Sequence, residues 1–472
     1  MSAGAEAVRL EHDLLGERAV PESAYFGIHT VRALENFPVS GNPIASHPHL
    51  IWSLAAVKEA AALANRKIGV LDPAKADAIV VACREIREGA LRDQFRVDVL
   101  QGGAGTSTNM NANEVIANRA LELLGHRRGA YEHLHPLDHV NASQSTNDVY
   151  PTAARVALDR AVGDLLESLA LLRAAFEERA AEFADVLKMG RTQLQDAVPM
   201  TVGQELAAHA VMIGEDEARL REARLLLHEV NLGGTAIGTG LNAPPGYRAL
   251  ACEELAAIVG FELSSAPNLV EATQDCGAFI QLSGVLKRVA MKLSKTCSDL
   301  RLLSSGPRAG LGEINLPAVQ AGSSIMPGKV NPVIPELVNQ IAYEVAGIDV
   351  TVTMAAEAGQ LQLNAFEPVI VHHLLSAFAH LSGGCRVLAT RCVNGITVNP
   401  VRLSEAVEAS IGLAAALNPY LGYAAATTIA QEALSSGRGV LQLVQERGLL
   451  DPAEVAEILE SARVAGVAPS DR

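Results

Sequence analysis

The chain has 472 residues and a formal net charge of −15, and 49% of its residues are apolar but only 4% aromatic. The acidic charge argues against nucleic-acid binding, which needs a basic surface. The abundance of apolar residues, with only 19% charged ones, argues against disorder. Small aliphatic side chains suit long, closely packed helices, and the length predicts two or three domains.

The N-terminal segment is acidic and lacks an apolar run, so it predicts neither a signal peptide nor a transit peptide. No continuous apolar stretch has membrane-spanning length, and we expect no membrane partner. The six cysteines are scattered and form no CxxC pair. We therefore expect buried thiols in a reducing cytoplasm rather than disulfides or a zinc site.

The first 150 residues are predicted to mix loops and helices. Pro and Gly recur in the first 48 residues, and predicted helices follow at about 49–66 and 73–92. From Pro151 to Asp185, apolar residues recur at spacings of three and four, which is the pattern of an amphipathic helix. Glycines and a proline break the chain again after residue 401, which predicts a small helical C-terminal part. Further long helical runs cover about 199–230, 266–303, 333–358 and 364–395.

These long helices lack the strand–helix alternation of a parallel sheet, so they predict a helical bundle. Several are apolar on more than one face, as in Leu282–Lys292 and Ile341–Ala358. A helix that is apolar around most of its girth must be buried on most sides. One bundle of five helices leaves some of those faces exposed, which predicts an oligomer.

Four polar segments interrupt the helices, and they are rich in Ser, Thr and Asn. Their only cations are Arg191 and Lys329. Hydroxyls, amides and free backbone N–H groups bind carboxylates well, especially at helix N-termini, so the set fits a small dianion. The alternative is that each segment only caps a helix or forms a turn. The segments are Gly102–Glu114, Asn141–Asp148, Gly190–Asp196 and Gly322–Pro332.

Other kinds of site fit the sequence less well. The glycine-rich run 233–240 lacks the Lys-Ser or Lys-Thr of a phosphate-binding loop and the strand–helix context of a dinucleotide site. His133, His135 and His139 are irregularly spaced, so we predict no metal site. The segment Gly322–Pro332 interrupts the helical pattern as a mobile lid would. Its serines have no His partner that the sequence identifies. One of them could act as a base only if Lys329 and backbone N–H groups stabilised its alkoxide.

The segment GSSIMPGKVNP (322–332) resembles the signature of the aspartase/fumarase superfamily of lyases. GAGTSTNMNANE, QSTND, GRTQLQDAVPMT, SSGPRAGLGEINLP and AEAGQLQLN also fit, in the family's order, and the similarity runs from about Arg9 to Leu450. Four features favour the aspartase branch over class II fumarases: the N-terminal DLLGERAVPESAYFGIHTVRALENFPVSG, Tyr150, Gln193 and GQLQLN.

The resemblance implies a mainly α, three-domain fold whose central bundle of long helices tetramerises into a twenty-helix core. Each active site of the homotetramer would take residues from three subunits. The implied domains are a mixed, mostly helical N-terminal domain (1–145), a central bundle carrying the GSSIMPGKVNP loop (146–398) and a small helical C-terminal domain (399–472).

The resemblance also implies reversible conversion of the dicarboxylate L-aspartate to fumarate and ammonia. Removal of the Cβ proton would give a dianionic aci-carboxylate, which only preorganised donors can stabilise. Ser323 would be the base, and no metal or other cofactor would be required, although activation by a divalent cation stays open. The β-carboxylate would meet Thr106, Ser145, Thr146 and Ser324; the α-carboxylate Thr192, Lys329 and Asn331; and the amino group Asn147 and Gln193, with Thr106 nearby.

Two other functions stay open at this point. A class II fumarase would hydrate fumarate to malate, and a catalytically idle scaffold would do neither reaction, as in lens proteins related to this superfamily. The intact set of Ser323, Lys329 and Asn331 argues against the scaffold. Many relatives carry His where Gln193 stands, so we interpret Gln193 as a ligand of the amino group rather than as an acid.

Overall fold

The computed structural model describes residues 7–464, which are mainly helical, as the sequence predicts. The helices are α1 (Ile28–Asn36), α2 (Pro48–Lys67), α3 (Pro73–Arg87), α4 (Thr106–Leu123), α5 (Thr146–Glu182), α6 (Val202–Leu225), α7 (Tyr247–Val259), α8 (Leu269–Ala272), α9 (Gly277–Leu303), α10 (Val333–Glu357), α11 (Glu367–Arg391), α12 (Pro400–Ala409), α13 (Leu413–Ala416), α14 (Asn418–Leu421), α15 (Tyr423–Ser436), α16 (Val440–Glu446) and α17 (Pro452–Val464).

The sheets of the described residues are small, with two strands each. Strands β1 and β2, β3 and β4, and β7 and β8 pair antiparallel, whereas β5 and β6 pair parallel over two residues. The strands are β1 (Val8–Asp13), β2 (Gly16–Pro21), β3 (Leu187–Thr192), β4 (Gln195–Thr201), β5 (Glu229–Val230), β6 (Ser264–Ser265), β7 (Ile314–Asn315) and β8 (Thr397–Val398).

The chain forms two compact units, each assembled from three segments. Unit 1 comprises residues 1–166, 218–288 and 344–380, and unit 2 comprises 167–217, 289–343 and 381–472. The long helices α5, α6, α9, α10 and α11 each contribute residues to both units. The division into the three consecutive domains 1–145, 146–398 and 399–472 stays a prediction.

In unit 1, helix α2 packs against α3 and α7 and is buried on most of its surface. Its alanines allow this close approach, and Ala56, Ala60 and Ala64 are fully buried. Pro48 occupies the first turn of the helix, where a missing N–H costs no hydrogen bond. In unit 2, a separate core joins Met189 of β3 to apolar residues of the C-terminal helices, including Leu413, Leu417 and Ile429.

Three predicted helix boundaries are wrong. The helix predicted at 199–230 begins only at Val202, because the preceding residues pair with β3 in a hairpin. The helix predicted at 266–303 is broken after Ala272, and α9 begins anew at Gly277, whose N–H donates to Asp275 Oδ2 at 2.9 Å. The helix predicted at 73–92 ends at Arg87, and Gly89 follows with φ +103°.

Candidate active site

The ten predicted site residues fall into two sets, one in each unit. Unit 1 carries one set at the N-termini of α4 and α5, and unit 2 carries the other on the β3–β4 hairpin and the loop before α10. The first set is Thr106, Ser145, Thr146 and Asn147, and the second is Thr192, Gln193, Ser323, Ser324, Lys329 and Asn331.

Ser145 caps helix α5. Its Oγ accepts a hydrogen bond from the N–H of Asn147 at 3.3 Å, and its own N–H donates to Asp148 Oδ1 at 2.9 Å. The capping interpretation is therefore correct for Ser145. Its hydroxyl hydrogen is not used in either bond, so capping leaves this residue able to donate to a ligand.

Asp148 fixes the position of this helix start within unit 1. The side chain is fully buried, and its Oδ2 accepts from the N–H groups of Gly233 and Thr235, both at 3.0 Å. Burial raises the pKa of Asp148 to about 6, although these backbone hydrogen bonds and Lys58 act in the opposite direction. The glycine-rich run 233–240 thus holds the N-terminus of α5 through Asp148.

The polar groups of Thr146 and Asn147 are oriented by neighbours in unit 1. Thr146 Oγ1 accepts from Asn109 Nδ2 at 3.0 Å, which leaves its hydroxyl hydrogen for another acceptor. Asn147 Nδ2 donates to the carbonyl of Ala236 at 2.8 Å, which leaves its Oδ1 as an acceptor. Thr146 is therefore suited to a carboxylate and Asn147 to an ammonium group.

Thr106 begins helix α4 directly after three residues in the left-handed region, Gly103, Ala104 and Gly105. Gly105 is required there, because a Cβ would lie 2.5 Å from ring atoms of Tyr150. Thr106 Oγ1 donates to the carbonyl of Gly103 at 2.8 Å. In this rotamer the hydroxyl hydrogen is used and the oxygen remains only as an acceptor, which suits an ammonium group better than a carboxylate.

In unit 2, Gln193 and Leu194 form the two-residue turn between β3 and β4, with φ of +54° and +64°. Thr192 and Gln193 are exposed at this tip. The hairpin is anchored by Glu313, which is 2% exposed and forms ion pairs with Arg191 at 2.5 Å and Lys188 at 2.9 Å. Arg191 is therefore engaged by a carboxylate of the protein.

The loop 322–332 is closed on itself at its base. The N–H of Gly322 donates to the carbonyl of Lys329 at 2.9 Å, and Asn331 Nδ2 donates to the carbonyl of Gly322 at 2.8 Å. A Cβ on Gly322 would lie 2.7 Å from the carbonyl oxygen of Lys329, so only glycine allows this closure. Ser324 and Lys329 are exposed on the loop.

Ser323 lies in a turn that directs two donors at its hydroxyl oxygen. Its Oγ accepts from the N–H groups of Ile325 at 3.2 Å and Met326 at 2.9 Å. Two such donors favour the charged form of an oxygen over the neutral one. This is the stabilisation by backbone N–H groups that a serine base without a histidine needs.

Sequence reasoning assigned no role to Lys58, yet this residue is fully buried next to the segment 141–148. Burial lowers the pKa of Lys58 to about 7, and the charge of Asp148 acts in the opposite direction. The sequence signal that could have pointed to Lys58 is its position as the single cation of the apolar run SLAAVKEAAALA. A buried lysine and a buried aspartate near a site are candidates for a role in it.

Metal and membrane features are lacking in the part of the chain that the structure describes. No group of three or more His, Cys, Asp or Glu side chains there could hold a metal ion. His135 and His139 serve local contacts instead, as His139 Nε2 lies 2.9 Å from Lys75 Nζ. Within residues 7–464, none of the helices combines the length and hydrophobicity that a membrane span requires.

Comparison with known proteins identifies the family. A family model described as lyase matches residues 16–347, and one described as the fumarase C C-terminus matches 413–466. The chain belongs to the aspartase/fumarase superfamily of lyases. The resemblance drawn from the motifs is thereby confirmed, and so is the mainly α fold of this superfamily.

Curated superfamily members similar to this chain include the aspartate ammonia-lyase of Pseudomonas aeruginosa, 59% identical over 96% of this chain and 95% of the relative. That of Escherichia coli K12 is 52% identical, with the same coverage. Among solved structures, a Brucella melitensis protein described as fumarate lyase:delta crystallin bound to cobalt has a TM-score of 0.94 at 57% identity, covering 97% of this chain and 100% of that one. The class II fumarase of Schistosoma mansoni has a TM-score of 0.92 at 36% identity, covering 98% and 99%.

Proposed function

We propose that this protein catalyses the reversible deamination of L-aspartate to fumarate and ammonia. The observation that carries the proposal is the 59% identity, over nearly the full length of both chains, to a protein named aspartate ammonia-lyase. The hydratase alternative is weaker, because the class II fumarase is only 36% identical at similar coverage. A dicarboxylate substrate is common to both reactions.

In the proposed mechanism, Ser323 Oγ removes the proton from Cβ of aspartate, and the C–H electrons move into the β-carboxylate as a dianionic aci-carboxylate. The electrons then return to form the Cα–Cβ double bond, the C–N bond breaks, and its electrons leave with ammonia. The N–H groups of Ile325 and Met326 support Ser323 as the base, because they stabilise its alkoxide.

The remaining roles are assigned by hydrogen-bonding capacity. Ser145, Thr146 and Ser324 would donate to the β-carboxylate, and Thr192, Lys329 and Asn331 to the α-carboxylate. Asn147 Oδ1 and Gln193 would accept from the amino group. Thr106 is proposed for both the β-carboxylate and the amino group, and its inward hydrogen bond to Gly103 favours the amino group. No cofactor is part of the proposal.

We further propose that the protein is a homotetramer whose active sites take residues from three subunits. Helix α10 supports an oligomer, because Tyr343, Val350 and Met354 lie 57 to 68% exposed at spacings of seven and four residues. Such an apolar face on a single chain is typical of an interface. The six cysteines are free and buried, which supports the proposed cytoplasmic location.

The test follows the ultraviolet absorbance of fumarate in the purified protein. Aspartate alone as productive substrate supports the proposal, malate alone supports the hydratase, and neither supports a scaffold. Ser323→Ala should lose nearly all turnover while keeping the oligomeric mass of the wild type. Ser435→Ala, a surface serine of α15, is the control and should keep full activity. Wild-type turnover in Ser323→Ala would reject the base assignment.

A further inference from the structure

Lys58 is a buried cation whose hydrogen bonds, among the described residues, go to two neutral amides. Its Nζ donates to Asn141 Oδ1 and to Gln144 Oε1, both at 2.9 Å, and its side chain is fully buried in α2. Asp148 on α5 is the titratable group whose charge acts on Lys58, whereas the Cys83 thiol on α3 is neutral because burial raises its pKa. A buried ammonium without a direct ion pair is costly, so its presence calls for a physical reason.

The ammonium fixes the polarity of a chain of amides. Protonated lysine has donors only, so Asn141 turns its oxygen toward Nζ, and Asn141 Nδ2 in turn donates to the carbonyl of Gln144 at 3.2 Å. That oxygen also accepts from Asn109 Nδ2 and Asn113 Nδ2, both at 3.2 Å. Asn109 therefore presents its NH₂ group on this side, and the same Nδ2 donates to Thr146 Oγ1 at 3.0 Å.

A second observation supports an imposed orientation of the amides. Asn109 Oδ1 and Asn113 Oδ1 are buried and have no hydrogen-bond partner among the described residues. An amide that was free to turn would avoid leaving its oxygen unpaired in the interior. The positive charge of Lys58, acting through the oxygen of Asn141, holds both amides in this arrangement.

We propose that Lys58 is a positioning residue that keeps the hydroxyl hydrogen of Thr146 directed at the substrate carboxylate. Without the cation, Asn141 can turn its NH₂ group inward at the expense of its 3.2 Å hydrogen bond to the carbonyl of Gln144, and Asn109 can then turn its oxygen toward Thr146. Thr146 would donate to Asn109 instead of to the substrate. The inference rests on the proposed function, in which Thr146 binds the β-carboxylate of aspartate.

The test is Lys58→Met, which keeps the length of the side chain and removes the charge. We expect kcat/KM for aspartate to fall about 10- to 100-fold, the loss of one charge-assisted donor, or about 1.4 to 2.8 kcal/mol at 1.4 kcal/mol per tenfold. Lys67→Met on the same helix, an exposed lysine that pairs with Glu254, is the control and should be unchanged. Unchanged kcat/KM in folded Lys58→Met, checked by circular dichroism and oligomeric mass, overturns the proposal.

A double-mutant cycle separates positioning from general structural damage. In a Thr146→Val background, Lys58→Met should change kcat/KM less than about threefold, because the relay ends at the missing hydroxyl. Additive losses overturn the proposal. If Lys58→Met does not fold, Asn109→Leu replaces it, since this variant keeps Lys58 paired and removes the donor to Thr146 together with the 3.2 Å hydrogen bond to Asn141 Oδ1. Unchanged kcat/KM in Asn109→Leu is then the contradicting result. A wild type inactive on aspartate would instead reject the proposed function.

Discussion

Gly105 allows the strongest test of how the start of helix α4 is built. Its φ is +88°, and a Cβ at this position would lie 2.5 Å from Cγ and Cδ2 of Tyr150, whereas ordinary contacts lie at 3.4–4 Å. Cγ is the atom that attaches the ring, so rotation of the buried ring does not move it away. The substitution Gly105→Ala therefore forces either the ring or the helix start to shift.

The cost of Gly105→Ala has two parts. The left-handed backbone costs alanine about 1 to 2 kcal/mol. Ala104 already adopts such a backbone in the native chain, at φ +54°. Overpacking a filled interior costs typically about 1 to 3 kcal/mol more. The sum is about 2 to 5 kcal/mol, and the contact with Tyr150 is the part that distinguishes this position from Ala104.

The assays are the free energy of unfolding in denaturant at fixed chain concentration, and kcat/KM from fumarate absorbance. Because Thr106 follows directly, a shift of the helix start should also lower kcat/KM at least tenfold. Gly102→Ala is the matched control, since its Cβ would come no closer than 3.8 Å to Phe37. It should change stability by about 0.5 kcal/mol or less. Equal stability and activity in the two variants would refute the reasoning.

Three further predictions concern the charged and amide groups. Lys329→Ala should lower kcat/KM by an amount that corresponds to about 2 to 4 kcal/mol of lost transition-state stabilisation. A fall in kcat/KM of less than tenfold would contradict the role of Lys329 as a charged donor. Gln193→Ala should raise KM and keep the ionisations of the pH–rate profile; a vanishing ionisation would indicate an acid. Because the folded pKa of Lys58 is lowered from 10.5 to about 7, the unfolded state binds more protons between these values, so wild-type stability should rise with pH there. Relative to Lys58→Met, the free energy of unfolding of the wild type should rise by at most about 1.4 kcal/mol per pH unit between pH 7 and 10, as measured by denaturant titration at each pH. Parallel curves of unfolding free energy against pH for the two proteins would contradict this prediction.

The long helices could be predicted from the sequence because their apolar periodicity is local information. Their ends depended on contacts that periodicity does not carry. The β3–β4 hairpin turns at Gln193 and Leu194, which adopt positive φ without glycine or asparagine, so the usual hairpin signal is missing. The break before α9 rests on one hydrogen bond from Gly277 to Asp275. Such breaks become visible only once the neighbouring strand or cap is in place.

The motifs predicted which residues belong to the candidate site, but not the hydrogen-bonding role of each one. Thr146 and Asn147 stand in a polar segment that the sequence displays, but their hydrogen-bond directions depend on groups distant in the chain. Asn109 and Ala236 decide which atoms of Thr146 and Asn147 remain for a ligand. A pattern of residue types identifies groups able to bind a carboxylate, whereas only the fold determines which of them donate and which accept.

The net charge of −15 constrains how this site can bind a dianion, because the field of the whole protein does not attract it. Affinity must come from short-range donors whose hydrogens already point outward. In unit 1, neutral hydroxyls can do this only if their oxygens are held by donors from behind, as Asn109 holds Thr146. That arrangement needs a group with donors alone at its inner end, and Lys58 is such a group. A buried cation in an acidic protein is thus explained by the direction it gives to neutral hydrogen bonds.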